Sequence, residues 1–220
     1  MNLDERCRRI ELLLSDVDGV LTDGGIVLDS QAVETKRFHI RDGMGIHLWQ
    51  QAGRLFGLVT LRSSQVVKLR AAELGIEIIQ QGVDNKLAAV QQILRQRCLS
   101  AEQVCYIGDD LPDLPAVRAV GLGVAVADAC DELRQAAHHV TRLSGGAGIL
   151  RPSWPESLTM VPTPAGSETC VSRSRPRSVK PISVTNFGYP QSSRPAAFAI
   201  GVVTGRSTTH APTVLRLGGM

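Results

Sequence analysis

The ten residues LLLSDVDGVL (12–21) join an uninterrupted apolar run to two aspartates, Asp16 and Asp18, and a glycine. An apolar run of this length is typical of a strand that is covered on both faces, as in a parallel sheet. Carboxylates one residue apart repel each other, so a cation or a chemical reaction is needed to explain why both follow a buried strand. The stretch therefore predicts a buried strand that ends at a charged site.

Strand and helix patterns alternate from this stretch onward. The next predicted strands are RLFGLVT (54–60), IEIIQ (76–80), QVCYIGDD (103–110) and LGVAVAD (122–128). The predicted helices are DGMGIHLWQQAG (42–53), SSQVVKLRAAELG (63–75), NKLAAVQQILRQRC (85–98) and PAVRAVG (115–121). This alternation predicts an α/β fold with a doubly wound parallel sheet. Before the first of these helices, residues 24–40 alternate around a polar turn at Asp29 and Ser30, which predicts a β-hairpin.

Ligands of open parallel sheets bind beyond the carboxyl ends of the strands, and this chain places its polar clusters there. The polar residues at these ends are Asp16, Asp18, Thr60, Arg62, Ser63, Lys86, Asp109 and Asp110. Carboxylate and hydroxyl oxygens suit Mg²⁺, and a divalent cation together with Lys86 would let neighbouring carboxylates stay ionised. A calcium loop starting at Asp16 is disfavoured because its twelfth position is Val27, where a bidentate glutamate belongs.

Composition divides the chain near residue 151. Residues 1–150 carry 16 Lys and Arg against 19 Asp and Glu, a net charge of −3, whereas residues 151–220 carry 8 against 2, a net charge of +6. The last 70 residues also hold 9 of the 11 prolines and show no sustained helical or strand period. We therefore predict one domain at 1–151 and a Pro/Ser/Arg-rich, disordered tail at 152–220. Almost no aromatic residues lie among the basic ones of the tail, so nucleic acid is not an expected partner.

Other features of the sequence point to a cytoplasmic protein. Hydrophobic residues make up 43% of the chain, yet no apolar run reaches the ~18 residues that a membrane span needs, and the N-terminus lacks the apolar core of a secretory signal. The five cysteines are odd in number and form no CxxC pair, so we expect neither a zinc site nor a disulfide framework. Reduced thiols fit the same compartment.

The order and spacing of the polar residues resemble the haloacid dehalogenase superfamily of phosphohydrolases. Its four motifs correspond to DVDGVLTDG (16–24), the VT that ends at Thr60, Lys86 and GDDLPD (108–113). Within the superfamily, FHIRDGMGI (38–46), QGVDNK (81–86) and HHVTRLSGGAG (138–148) are similar to the 3-deoxy-D-manno-octulosonate 8-phosphate phosphatases. The resemblance covers residues 10 to about 151 and implies an enzyme of small-molecule sugar phosphates that has no lid domain. It further implies that the hairpin, roughly Gly25 to Ile40, helps to form a homotetramer. The related phosphatases of nine-carbon, sialic-acid-type sugar phosphates are the alternative.

The resemblance also implies a role for each polar residue. Asp16 would be the nucleophile that forms an aspartyl-phosphate, and Asp18 would be the general acid and base. The residues implied to hold Mg²⁺ are Asp16, Asp18 through its backbone carbonyl, Asp109 and, in a supporting position, Asp110. The residues implied to bind the phosphoryl group or the sugar are Thr60, Lys86, Arg62 and Arg41.

Two features depart from the family pattern. Leu61 stands where the second motif usually has a glycine, which lets the backbone approach the phosphate closely. From Pro152 onward the chain has no resemblance to the family. These departures keep a second class of function open, a non-catalytic relative that binds or scaffolds, although every charged catalytic residue is present.

Overall fold

The computed structural model of this chain describes residues 1–150, whose elements surround one central strand. The strands are β1 (Leu12–Ser15), β2 (Val27–Leu28), β3 (Glu34–Thr35), β4 (Leu55–Thr60), β5 (Ile78–Gln81), β6 (Val104–Gly108), β7 (Leu122–Ala125) and β8 (His139–Val140). The helices are α1 (Leu3–Arg9), α2 (Ile40–Gln51), α3 (Gln65–Glu73), α4 (Lys86–Arg97), α5 (Leu114–Ala119) and α6 (Asp131–Ala136). Two short 3₁₀ turns cover Ala101–Gln103 and Leu111–Asp113.

Six of the strands form one parallel sheet, in the order β5-β4-β1-β6-β7-β8. The predicted doubly wound sheet flanked by helices is thereby confirmed. From β1 the chain adds strands first on one side, through β4 and β5, and then on the other, through β6, β7 and β8. The order reverses at β1, and ligands of such sheets bind at this reversal.

The leucines of β1 show why this strand lies at the centre. Leu12, Leu13 and Leu14 are at most 2% exposed, and β4 and β6 pair with β1 on its two sides. A strand buried on both faces must be apolar at successive positions, which explains the uninterrupted run. The first side chain after the strand, Asp16, is therefore held by a rigid element.

The hairpin is confirmed in a shorter form than the predicted range of 25–40. Its two strands pair only through Val27 with Thr35 and Leu28 with Glu34. The Asp29 carboxylate accepts hydrogen bonds from the backbone N–H groups of Gln31 and Val33, both at 2.8 Å, and so closes the turn. Between β1 and α2 the described chain inserts nothing larger than this hairpin, in agreement with the absence of a lid domain.

Three short elements are additional to the prediction. β8 has only two residues, His139 and Val140, which is too short for an alternating pattern to be recognised. α1 begins at a capping box in which the side chains of Asn2 and Glu5 cap each other's backbone N–H, and this signal was present in the sequence. α6 follows Cys130, which provides no side-chain cap.

The predicted tail at 152–220 lies outside the described residues. Among residues 1–150, no helix has the length and apolar character needed to cross a bilayer.

Candidate active site

The carboxyl ends of β1, β4 and β6 bring three of the predicted site residues to one edge of the sheet. Asp16 follows β1, Thr60 ends β4 and Asp109 follows β6. Because β4 and β6 are the neighbours of β1, these side chains meet around the strand that carries Asp16. Lys86 reaches the same edge from the first turn of α4, which Asn85 caps through its side chain.

Lys86 joins two buried carboxylates. Its Nζ lies 2.7 Å from Oδ2 of Asp16 and 2.6 Å from Oδ1 of Asp113. The Lys86 side chain is 2% exposed and that of Asp113 is completely buried, so water competes little with these ion pairs. The second oxygen of Asp16, Oδ1, accepts the backbone N–H of Val17 at 2.6 Å. These contacts fix the Asp16 carboxylate in one orientation.

Asp113 is a site residue that the sequence reasoning missed. Its Oδ1 also accepts the hydroxyl of Tyr106 at 2.7 Å, and its Oδ2 accepts the backbone N–H groups of Asp109 and Asp110 at 3.2 and 3.3 Å. Asp113 therefore anchors both Lys86 and the loop after β6. The signal was available, because Asp113 is the third acid of the GDDLPD motif.

Asp109 lies directly against the loop that follows Asp16. Carboxylate oxygens of Asp16, Asp109 and Asp113 all lie within 4.8 Å of one another. Asp110, predicted as a supporting metal residue, does not belong to this group, and its role stays a prediction. Gly19 makes the approach possible: its φ is +86°, and a Cβ at this position would lie 2.0 Å from Oδ2 of Asp109.

The charges of this group act strongly on one another. Burial and the Asp113 carboxylate raise the pKa of Asp16 to about 6, although Lys86 opposes the shift. Burial, with the carboxylates of Asp16 and Asp113, raises the pKa of Asp109 to about 8. Burial alone would lower the pKa of Lys86, but the two carboxylates that it contacts raise it above its ordinary value. Three close carboxylates around one ammonium group leave an excess of negative charge that a bound cation would neutralise.

A second cluster surrounds Asp18 and includes residues of the hairpin. Lys36, whose side chain is 2% exposed, donates to Oδ1 of Asp18, and Nη1 of Arg62 lies 3.6 Å from its Oδ2. Glu34 contacts both cations, through Nζ of Lys36 at 3.3 Å and Nη2 of Arg62 at 2.8 Å. The hydroxyl of Ser64 donates to the other oxygen of Glu34. Glu34 and Lys36 were not among the predicted site residues.

Two other positions of interest lie near the start of α2 and after β4. Arg41, predicted to bind substrate, is exposed in the first turn of α2, and its side chain pairs with none of the described residues. Its neighbour Asp42 is buried and accepts the backbone N–H of Leu150 at 2.7 Å. Leu61 is 40% exposed, so its side chain is directed at least partly toward solvent.

Comparisons with known proteins identify the family. A haloacid dehalogenase-like hydrolase profile matches residues 63–151. The chain is 44% identical over 147 residues to the 3-deoxy-D-manno-octulosonate 8-phosphate phosphatase of Yersinia pestis, a match that covers 67% of this chain and 79% of that protein. This chain belongs to the 3-deoxy-D-manno-octulosonate 8-phosphate phosphatase family. Its membership makes it a phosphoric monoester hydrolase of the haloacid dehalogenase superfamily.

Two further relatives agree with this assignment. The phosphatase of the same name from Escherichia coli K12 is 42% identical over 146 residues, or 66% of this chain and 78% of that protein. The crystal structure of the Moraxella catarrhalis phosphatase in complex with magnesium, phosphate and 3-deoxy-D-manno-octulosonate superposes with a TM-score of 0.66 at 40% identity, covering 67% of this chain and 85% of that one.

Mg²⁺ is the cofactor of the family, and the residues of this chain fit it. The Moraxella relative contains the ion, and here three acids offer carboxylate oxygens within 4.8 Å of one another. The oxygens of Asp113 already accept four hydrogen bonds, from Lys86, Tyr106 and two backbone N–H groups. Asp16 and Asp109 are therefore the carboxylates suited to hold the ion, and hard oxygen donors of this kind are the ligands that Mg²⁺ prefers.

Proposed function

We propose that this chain hydrolyses 3-deoxy-D-manno-octulosonate 8-phosphate to the free sugar acid and phosphate, through an aspartyl-phosphate on Asp16 and with Mg²⁺ as the required ion. The observation that carries the proposal is the buried position of Asp16, between Lys86 at 2.7 Å and the carboxylate of Asp109. Supporting it, a relative at 40% identity is known in complex with magnesium, phosphate and the product sugar acid.

In the first step, a carboxylate oxygen of Asp16 forms a bond to phosphorus while the bond from phosphorus to the sugar oxygen breaks. The electron pair of the broken bond goes to the sugar oxygen, which takes a proton from Asp18. In the second step, water attacks phosphorus, Asp18 accepts the proton of the water, and the bond from phosphorus to Asp16 breaks. Asp16 is thus regenerated as a carboxylate and phosphate leaves.

The remaining residues hold the phosphoryl group in place. In the proposed reaction Lys86 and Thr60 bind the phosphoryl oxygens, on which charge spreads during transfer. Asp16, Asp109 and the backbone carbonyl of Asp18 would hold Mg²⁺, which when bound neutralises charge on those oxygens. Asp113 serves this arrangement indirectly, because it fixes Lys86 at 2.6 Å.

Arg62 is the proposed contact to the sugar acid. Its Nη1 is buried without a hydrogen-bond acceptor among the described residues, and the same is true of Nε2 of Gln81, whose Oε1 accepts the N–H of Ser64 in the same network. Buried donors without acceptors are costly, and the hydroxyl and carboxylate oxygens of a sugar acid would supply acceptors. Exposed Arg41 is proposed as a second contact.

Phosphate release from a panel of sugar phosphates tests the proposal. The eight-carbon 8-phosphate should be hydrolysed with a higher kcat/KM than a nine-carbon, sialic-acid-type 9-phosphate, and EDTA should abolish both activities until Mg²⁺ is restored. Faster hydrolysis of the nine-carbon substrate would shift the assignment to the related phosphatases. Activity that survives EDTA would contradict the metal requirement.

A non-catalytic relative is the second candidate, and the feature that favours it is Leu61 in place of the family's glycine. Leu61→Gly tests whether the leucine crowds the phosphate loop: relief of crowding should raise phosphatase activity, even though glycine there costs about 0.5–1 kcal/mol of stability. Because the Leu61 side chain is 40% exposed, we expect the wild type to be active and the variant to gain little. A wild type without activity that becomes active as Leu61→Gly would support the impaired relative instead.

We also propose that the hairpin joins subunits into a homotetramer. Five large apolar side chains of residues 26–40 are more than half exposed: Ile26, Val27, Leu28, Val33 and Ile40. Several exposed large apolar side chains on one short segment are typical of an interaction surface. Light scattering should give four subunits for the wild type and fewer for Val27→Lys, whereas Leu69→Lys, at an exposed leucine of α3, should leave the assembly unchanged. A wild-type monomer, or an intact tetramer in Val27→Lys, would contradict the proposal.

A cytoplasmic location is proposed on the basis of the thiols. Within residues 1–150, Cys105 and Cys130 are thiols rather than halves of a disulfide. Free thiols are the usual state in reducing compartments. Fractionation of the producing cells should recover the protein with cytoplasmic markers, and recovery with envelope fractions would contradict the proposal.

A further inference from the structure

A chain of ion pairs connects the hairpin to Asp18, and the mechanism above gives its two hairpin residues, Glu34 and Lys36, no role. Lys36 donates a hydrogen bond to Oδ1 of Asp18, and Nη1 of Arg62 lies 3.6 Å from Oδ2, within ion-pair distance but without a hydrogen bond. Glu34 in turn contacts both of these cations. The three charged residues form a clamp on the proposed general acid and base.

Burial makes this arrangement more than a surface ion pair. The side chain of Lys36 is 2% exposed, and those of Glu34 and Asp18 are 17% and 20% exposed. An exposed pair of long side chains gains little from pairing, because water screens the charges and both side chains lose conformational freedom. Here the ammonium group is removed from water and its two carboxylate partners are largely covered, so the clamp has a defined geometry.

The clamp is also anchored outside the hairpin. Ser64, which caps α3, donates its hydroxyl to Glu34, and its backbone N–H donates at 2.6 Å to Oε1 of Gln81 at the end of β5. Glu34 is therefore tied to the start of α3 and, through Ser64, to the end of β5. Because it lies 16 positions beyond Asp18 in sequence, this tie fixes where the hairpin returns over the site.

We propose that Glu34 and Lys36 are positioning residues of the phosphatase reaction, which hold the Asp18 carboxylate where it can protonate the leaving sugar oxygen and later deprotonate water. This inference rests on the proposed function. Displacements of about 1 Å in a reacting group can cost as much as ~10²-fold in rate, so a loosened clamp should act on the proton-transfer steps and spare phosphoryl transfer itself.

Leaving-group dependence distinguishes this role from a general structural one. A sugar alkoxide needs a proton as it departs, whereas 4-nitrophenolate leaves without one. In Lys36→Met, kcat/KM for the sugar phosphate should fall at least about tenfold more than kcat/KM for 4-nitrophenyl phosphate, within the ~10²–10⁴ that general acid catalysis supplies. With the aryl substrate, the variant should release a burst of about one nitrophenolate per site, because hydrolysis of the aspartyl-phosphate also needs Asp18.

Matched variants complete the test. Arg37→Met removes the neighbouring cation, which is 81% exposed, and should leave both substrates unaffected. Lys36→Arg should restore part of the lost activity, and Glu34→Gln, which keeps the shape of the side chain, should show the same leaving-group pattern even if Lys36→Met does not fold. Equal losses for both substrates without a burst, or no loss, would overturn the inference. A wild type inactive on both substrates would instead overturn the proposed function.

Discussion

The two charged clusters of the site are built in different ways although they follow the same strand. The cluster around Asp16 uses strand ends and a helix start, and its lysine pairs with carboxylates that are 9% and 0% exposed. The cluster around Asp18 uses the hairpin, and its lysine pairs with carboxylates that are 20% and 17% exposed. The difference suggests a rigid, sheet-built half for the nucleophile and a half for the acid and base that depends on a small peripheral element.

The largest expected effect is loss of the nucleophile. Asp16→Asn should lower turnover by at least about 10⁴-fold, as removal of a catalytic nucleophile does in other hydrolases. The sheet should remain folded, because Asp16 follows β1 rather than forming part of the core. Phosphate release and the far-ultraviolet circular dichroism spectrum measure the two quantities. Normal turnover in this variant would break the proposed division of the site, since the acid-base cluster alone cannot transfer a phosphoryl group.

The same substitution at both lysines compares the stability of the two clusters. Lys86→Met leaves the buried carboxylates of Asp16 and Asp113 facing each other, so it should lower the free energy of unfolding by roughly 3–5 kcal/mol in EDTA. Lys36→Met should cost less, because its partners reach water and keep Arg62. Urea unfolding of the two variants measures the difference. Equal costs would contradict the contrast in burial.

Stabilisation by Mg²⁺ should depend on the carboxylates around Asp16 and not on the ion pairs of Glu34. A ligand that binds the folded state alone adds about 2.7 kcal/mol at 100 times its Kd, so the Tm of the wild type should rise with Mg²⁺ concentration. Asp109→Asn should reduce this rise, whereas Glu34→Gln should preserve it. Thermal melts at several Mg²⁺ concentrations provide the measurement, and a shift lost in Glu34→Gln but kept in Asp109→Asn would reverse the assignment.

A carboxylate outside both clusters provides a smaller, pH-dependent effect. Burial raises the pKa of Asp42 from 3.8 to about 6, although the N–H of Leu150 opposes the shift, and its Oδ2 has no hydrogen-bond partner among the described residues. The Asp42 carboxyl loses its proton near pH 3.8 in the unfolded chain and near pH 6 in the folded chain. Its contribution to the free energy of unfolding is therefore fully present below pH 3.8 and is lost as the pH rises from there through 6. The loss should reach up to about 3 kcal/mol.

Asp42→Asn isolates this contribution. As the pH rises from 4 to 7, the free energy of unfolding of the variant should increase relative to that of the wild type. Urea unfolding across this range measures it. A difference that does not vary with pH would show that Asp42 is ionised throughout in the folded protein.

The contrast between the clusters also explains what the sequence could predict. Asp16, Asp109 and Lys86 follow apolar runs or open a helix, so the alternation of strands and helices places them at one edge of the sheet. Asp113 was within reach of the same reasoning, since it ends the GDDLPD motif. Glu34 and Lys36 were not, because their contact with Asp18 depends on how a hairpin with only two paired positions folds back over the sheet. Nothing in the local pattern of residues 34–36 specifies that direction.

In the proposed mechanism Asp16 carries the phosphoryl group between the two steps, and chemical trapping of this intermediate is the sharpest test of that role. In Asp18→Asn, phosphoryl transfer from 4-nitrophenyl phosphate should outpace hydrolysis, so rapid quenching in acid should trap labelled phosphate on the protein. We expect about one phosphate per subunit, on the peptide that contains Asp16, and none in the double variant with Asp16→Asn. Label on another residue, or an active enzyme that never becomes labelled, would contradict it.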